Sequence, residues 1–232
     1  MKKLFSLSLV IGLLLAVMSL PEASKVNAQA GLVSSIFSRM QRAQQSLKTL
    51  SADISMEKYN SQLRDSEKFY GTVRYIPVGG RSAFVRLEWN KPQHEILVVA
   101  NGAYVLYRPR LNMAYVGTTN SIHSQKDSDV LLLMNMSAGQ LRTRFGEPQD
   151  VREETLWGGV WTQHMRVTPK DAASYKYIEV WVDKEGMPVQ TKMVEKNDDA
   201  TTVRLTNVAK NQTIPMDQFN LKLDSSVKRV KG

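Results

Sequence analysis

Few side chains in this 232-residue chain could do acid–base, nucleophilic or metal chemistry. The three histidines, His94, His123 and His164, lie far apart, and none has a second ligand at the short spacing of a closed zinc site. Carboxylates are sparse inside the strand-like segments, apart from Glu88, Glu95 and Glu179. Polar-face positions explain Glu88 and Glu179, and nothing pairs them as acid and base. There is no cysteine, which excludes disulfides, thiol catalysis, cysteine-based zinc sites and an acylated N-terminal cysteine. No G-x-S-x-G elbow and no H-E-x-x-H helix occurs. The pairs Gly79-Gly80 and Gly158-Gly159 are too short to cradle phosphate and read as turns. The sequence therefore predicts no enzyme, no metal and no cofactor.

What the chain has in excess is soft apolar material: eleven methionines and four tryptophans. Methionine is unbranched and polarisable, so it either fills an irregular core or lines a surface that accepts variable apolar partners. Composition leaves both readings open.

The elements that would carry these residues follow from periodicity. Lys2 and Lys3 precede an apolar run from Leu4 to Leu20; Pro21 ends it, and Ala28-Gln29-Ala30 offers a small-x-small cleavage site. This is the pattern of a cleavable signal peptide over residues 1–30. The remainder, 31–232, is long enough for one β-rich domain with its own core, and export predicts a soluble periplasmic protein. The formal charge is +9 at pH 7, of which +7 stays after cleavage. The charges are scattered apart from Lys228, Arg229 and Lys231, and export argues against nucleic acid as partner. Leu32, Val33, Ile36, Phe37, Met40, Ala43, Leu47 and Leu50 recur at helical spacing, predicting an amphipathic helix over 32–50. From Ser51 the period is two. Strands are expected at 52–59 and 69–77, joined by a polar loop 60–68, and again from Ser82 to Trp89. A hairpin follows over 96–108, turning on Asn101-Gly102. Residues 127–136 are too apolar for a surface helix, and Ser137 with Gln140 forms a capping box for a second short helix. Residues 150–208 form a meander, for eleven or twelve strands in all.

Three stretches carry a family resemblance. The first runs from Gly71 to Trp89, then Lys91-Pro92, then His94 to Gly102 and Tyr104 to Pro109. The second is Arg166-Val167-Thr168-Pro169-Lys170, followed by Ile178 to Asp183 and Gly186. The third is Phe219 with the preceding Ile214-Pro215 turn. In order and spacing these resemble the LolA family of periplasmic outer-membrane lipoprotein carriers. The resemblance implies a mainly β fold with some α: an incompletely closed antiparallel β-barrel of about eleven strands under a helical lid. It implies a soluble monomer that shields the acyl chains of lipoproteins and ferries them from the inner to the outer membrane. Its partners would be acylated lipoproteins, an inner-membrane lipoprotein-releasing transporter and an outer-membrane receptor lipoprotein. Receptors of this fold are themselves lipoproteins, and this chain lacks the cysteine they need. The alternatives are a periplasmic domain sensing lipid or lipoprotein, or carriage of another lipid.

With that fold in view, the residues expected to line an acyl-chain cleft are Val73, Tyr75, Val85, Leu87, Trp89, Ile178, Val180, Val182, Val203 and Leu205. Ile36, Phe37, Met40, Leu131, Leu132 and Met134 are expected to form the lid. In the family, an arginine near the glycine of this strand helps hold the lid shut. Here the stretch from Gly71 to Arg81 is longer and departs from that pattern, leaving Arg74 and Arg81 as latch candidates.

Overall fold

A computed structural model describes residues 23–79, 82–119, 125–173 and 175–232. The apolar run of the expected signal peptide and Arg81 lie outside the described residues. The chain divides into two units, Met1–Ser35 and Ile36–Gly232. The second contains all the strands. No helix among the described residues is long and apolar enough to cross a membrane.

Helix α1 (Ala23–Ser46) leads into six strands: β1 (Leu50–Asn60), β2 (Asp65–Gly79), β3 (Ser82–Lys91), β4 (Glu95–Ala100), β5 (Ala103–Arg108) and β6 (Met113–Thr118). Two short helices follow, α2 (Gln125–Met134) and α3 (Ala138–Arg144). The chain continues through β7 (Gln149–Leu156), β8 (Val160–Val167), β9 (Tyr175–Asp183), β10 (Pro188–Glu195), β11 (Ala200–Lys210) and β12 (Lys228–Lys231). All twelve strands form one sheet, ordered β12-β6-β5-β4-β3-β2-β1-β11-β10-β9-β8-β7, which is not closed into a barrel. Two antiparallel meanders, β1–β6 and β7–β11, are welded where β1 pairs with β11. One pair departs from the expected antiparallel pattern: β12 runs parallel to β6.

The local chemistry explains most boundaries. Asn101 and Gly102 have φ of 51° and 76°, as a tight hairpin turn with two left-handed residues requires. Ser137 Oγ accepts from the Gln140 backbone N–H at 3.1 Å and caps α3. Two expectations are corrected. The first helix stops at Ser46, and Leu50, although in phase with it, opens β1 opposite Tyr75 and Lys210. A fully buried position in the sheet outweighs one more helical turn. The polar stretch 60–68 is mostly strand as well, since β2 begins at Asp65 and only a four-residue turn separates the hairpin. Charged residues there continue an exposed strand alternation rather than mark a loop.

Strand alternation sorts the side chains onto two faces. On the inner face, Leu50, Ala52, Ile54 and Met56 of β1 stand beside Tyr75, Val73, Gly71 and Phe69 of β2. The rows continue through Val85 and Leu87 to Val99 and Leu97 on one side, and through Leu205 and Val203 on the other. Helix α2 packs Val130, Leu133 and Met134 into this cluster. Each such side chain taken out of water stabilises by roughly 1.5–3 kcal/mol. A smaller core lies on the outer face, where Ile96 and Val98 are covered by Phe219, with Ile214 and Leu221 beside it. Phe84 and Phe219 meet there with ring centroids 5.8 Å apart.

Gly186, in the β9–β10 turn, packs directly against the backbone of α1. It has φ of +93°, and a Cβ there would collide with the Arg39 carbonyl and the Met40 amide. Only glycine meets both demands. Gly186→Ala is expected to lower stability by about 1–3 kcal/mol, read as a fall in the urea midpoint at unchanged m-value.

Candidate functional site

The ten expected cleft residues are all buried, at 0–7% exposure. Val73, Tyr75, Val85, Leu87, Trp89, Val203 and Leu205 belong to the large inner cluster. Val180 stands beside Thr191, which stands beside Val203, so Ile178, Val180 and Val182 lie on the same inner face further along the sheet. They form a packed interior rather than an open trough.

Of the lid residues, Ile36, Phe37, Met40 and Met134 are buried. Leu131 packs partly buried against the inner cluster, while Leu132 is half-buried and stands outside it. Helices α1 and α3 meet through Arg142, whose guanidinium carbon lies 5.0 Å from the Phe37 ring centroid.

Open space lies where these covers meet. A cavity of about 700 Å³ is bounded by the last turns of α1, the α2–α3 elbow, the end of β2 and the β9–β10 turn. Its buried wall is Met40, Tyr75, Leu133, Met134, Met136 and Met187. Its solvent rim carries Gln44, Gln45 and Thr143, with Asn135, Ser137 and Gln140 half-buried between. Small-molecule sites typically have volumes of roughly 300–1,000 Å³. Four methionines in the wall give it adaptable side chains.

Polar contacts tie the covers down, and sequence reasoning missed them. Trp89 Nε1, at the floor, donates to Asp127 Oδ1 of α2 at 3.0 Å, in a fully buried setting. Lys58 of β1 lies 3.8 Å from Asp129 Oδ2, further along the same helix. Tyr75 Oη donates to Asn135 Oδ1 at 3.3 Å, and burial raises its phenol pKa. On α1, Arg39 Nη1 donates to the Lys184 carbonyl at 3.2 Å, and Nη2 donates to Gln163 Oε1 of β8. Arg39 thus ties α1 to β8 and to the β9–β10 turn. Arg74 alternates with Val73 and Tyr75 and stands on the outer face beside Arg86, away from the covering helices. The signal for Asp127 and Asp129 was present: two carboxylates at the head of an otherwise apolar helix need partners inside.

The groups with acid–base potential lie elsewhere. His94 Nε2 is 3.0 Å from Glu88 Oε1 on the outer face, where Arg86 and His94 lower the Glu88 pKa against its partial burial. His164 is fully buried, with Nδ1 3.0 Å from the Asp150 carbonyl oxygen and Nε2 3.8 Å from Glu179 Oε1. His164, together with Arg166 at 3.0 Å, draws the Glu179 pKa from 4.5 to about 2. No serine or threonine hydroxyl is hydrogen-bonded to either histidine among the described contacts. No group of three metal-ligating side chains occurs among the described residues.

Comparisons with known proteins agree with this architecture. A family model described as outer membrane lipoprotein carrier protein LolA matches residues 45–222, more than half of the chain. An uncharacterized conserved protein from Thermus thermophilus superposes with a TM-score of 0.54 at 11% identity, covering 86% of this chain and 98% of that one. LprF from Mycobacterium bovis gives 0.51 at 13% identity, covering 80% and 96%. The MucA/MucB complex from Pseudomonas aeruginosa gives 0.50 at 15% identity, covering 82% of this chain and 61% of that one. At these identities the likeness shows the shared fold. A comparison with curated proteins finds no match.

Two outcomes follow. Arg39→Ala removes both anchors of α1, and amide exchange over residues 36–46 should speed up by about tenfold while exchange in β1–β3 stays fixed. Glu179 has its folded pKa depressed, so the stability it contributes is present above pH 4.5 and is lost as pH falls through about 2. An acid titration of thermal midpoints should show that loss in the wild type and a flatter limb in Glu179→Gln.

Proposed function

Because the chain belongs to the family of the outer membrane lipoprotein carrier LolA, we propose that it is a periplasmic carrier. It would shield the acyl chains of lipoproteins and pass them from an inner-membrane releasing transporter to an outer-membrane receptor. The observation that carries this reading is the methionine-walled cavity of about 700 Å³, which opens between three covering helices and abuts a continuous apolar interior.

The physics of such a carrier is one of exchange. Burying a methylene releases about 0.8 kcal/mol, so two or three acyl chains in a rigid empty pocket would bind too tightly to be handed on. Here the interior already satisfies itself: Val130, Leu133 and Met134 of α2 occupy the inner cluster, and Ile36, Phe37 and Met40 of α1 are buried. An incoming acyl chain enters at the cavity and, beyond it, displaces these contacts. The gain is the difference between two apolar packings, which leaves the cargo transferable. The buried Trp89–Asp127 hydrogen bond, and the part-buried Tyr75–Asn135 bond just past the helix, add a directional cost to lifting α2. They would restore the closed form once the cargo leaves.

A tripalmitoylated lipopeptide labelled with a fluorophore tests the reading. Wild type should bind it saturably and release it to acceptor vesicles only when a receptor lipoprotein is present. Met136→Trp, which fills the cavity from its wall, should weaken binding by about tenfold or more with little change in melting temperature. A wild-type protein that fails to bind the lipopeptide would remove the carrier reading.

A further inference from the structure

The outer face of the sheet holds a second recess, unrelated to the covered interior. Its volume is about 630 Å³. Four adjacent strands build its floor in two rows. Arg204, Ser55, Tyr70 and Lys91 stand side by side on β11, β1, β2 and β3; Thr206, Asp53 and Thr72 form the next row on the first three. At about 4.8 Å between strands, the first row spans roughly 14 Å.

One wall is Trp157, at the tip of the β7–β8 hairpin, where 87% of the residue is exposed. The indole is on a fixed mount. Gly158 and Gly159 take φ of 86° and 78°, the Gly159 amide donates to the Leu156 carbonyl at 3.1 Å, and Arg204 Nη2 donates to the Trp157 carbonyl. Tyr70, 48% exposed, offers a second aromatic face. A large apolar surface held out in water on a tied-down backbone has a use when something flat and amphipathic stacks on it.

The rest of the recess says what that is. Ser55, Thr72, Thr206 and Asn90 supply short hydroxyl and amide groups, and Asp53, whose Oδ2 accepts from Asn207 at 2.7 Å, has its Oδ1 to accept from a hydroxyl. A lipid tail would leave these polar groups without partners. Arg204 adds charge: its contact is the Trp157 carbonyl, and it pairs with no carboxylate among the described residues. Burial lowers its pKa, in keeping with a charge that lacks a counter-ion. Lys91 stands exposed at the far end of the same row.

We propose that this recess is a binding site for a short acidic saccharide. Its ring faces stack on Trp157 and Tyr70, its hydroxyls meet the serine, threonine and asparagine side chains, and carboxylates on its two ends lie toward Arg204 and Lys91, at opposite ends of the row. The site occupies the face of β1, β2 and β11 opposite the apolar interior, so both can be filled at once.

Trigalacturonate, maltotriose and tetraglutamate are the probes, titrated into the full chain and read by tryptophan fluorescence and calorimetry. Trigalacturonate should bind saturably, with maltotriose at least about tenfold weaker. Trp157→Ala and Tyr70→Ala, both at exposed positions, should each lower trigalacturonate affinity by about tenfold or more. Lys91→Gln should narrow the gap between the acidic and neutral sugars. Arg204→Gln also frees the hairpin, so it is read beside Lys91→Gln. Undetectable trigalacturonate binding, or Trp157→Ala binding as wild type, overturns the proposal. Tetraglutamate binding as tightly as the sugar also overturns it and points to an acidic peptide instead.

Discussion

Leu50, Ala52, Ile54 and Met56 point to one side of β1, and their neighbours on β2, β3, β4 and β11 repeat the pattern. The apolar face they create is far wider than one helix can hide, and the sheet does not close on itself to bury it. Covering that face is the constraint from which the other features follow. It accounts for three helices in an otherwise β chain and for an apolar run at 130–136 that no surface helix would carry. It also explains why a Trp89–Asp127 hydrogen bond is sunk into a greasy interior, with a part-buried Tyr75–Asn135 bond at its margin. A cover held by dispersion alone could slide; buried hydrogen bonds give it one seat.

The cavity is the remainder of that arrangement. Three short elements meeting at angles over a twisted sheet cannot fill every corner, and the corner left open is lined by Met40, Met134, Met136 and Met187. Methionine tolerates a loose fit better than a branched side chain, since its three torsions can be rearranged without strain. Such a wall can therefore settle around neighbours of different shapes. Gly186, which also lines this corner, lets α1 lie close against the β9–β10 turn.

Much of this was legible in the residues. Period-two alternation placed Val73, Tyr75, Val85, Leu87 and Trp89 on one face, and the Asn101-Gly102 turn and the Ser137 cap stand where their chemistry puts them. The errors came where two local signals agree with two structures. Leu50 continues a helical stripe and also opens a strand, and only the long-range partner Lys210 separates the two. Charged residues between Asp65 and Lys68 look like loop until they are seen as the exposed alternation of a long hairpin. The anchors of the lid were hidden for a different reason. Arg39 sits on the polar side of a helix, where a solvated side chain is the ordinary reading, and its partners Gln163 and Lys184 are more than a hundred residues away. Periodicity reports which face is buried; it says nothing about which polar group on the margin reaches across.

The parallel strand β12 bears on how the molecule lives among copies of itself. A sheet that never closes has two borders, each a row of backbone donors and acceptors ready to accept another chain. One border is capped by four residues, three of them cationic, laid along β6 through backbone bonds that continue to the Gly232 amide and the Val116 carbonyl. The other border, β7, carries Arg152, Glu153 and Glu154. Charged side chains along both rims hold water that a second sheet would have to displace, so hydration guards the edges of this fold where a closed barrel would have had no edges to protect.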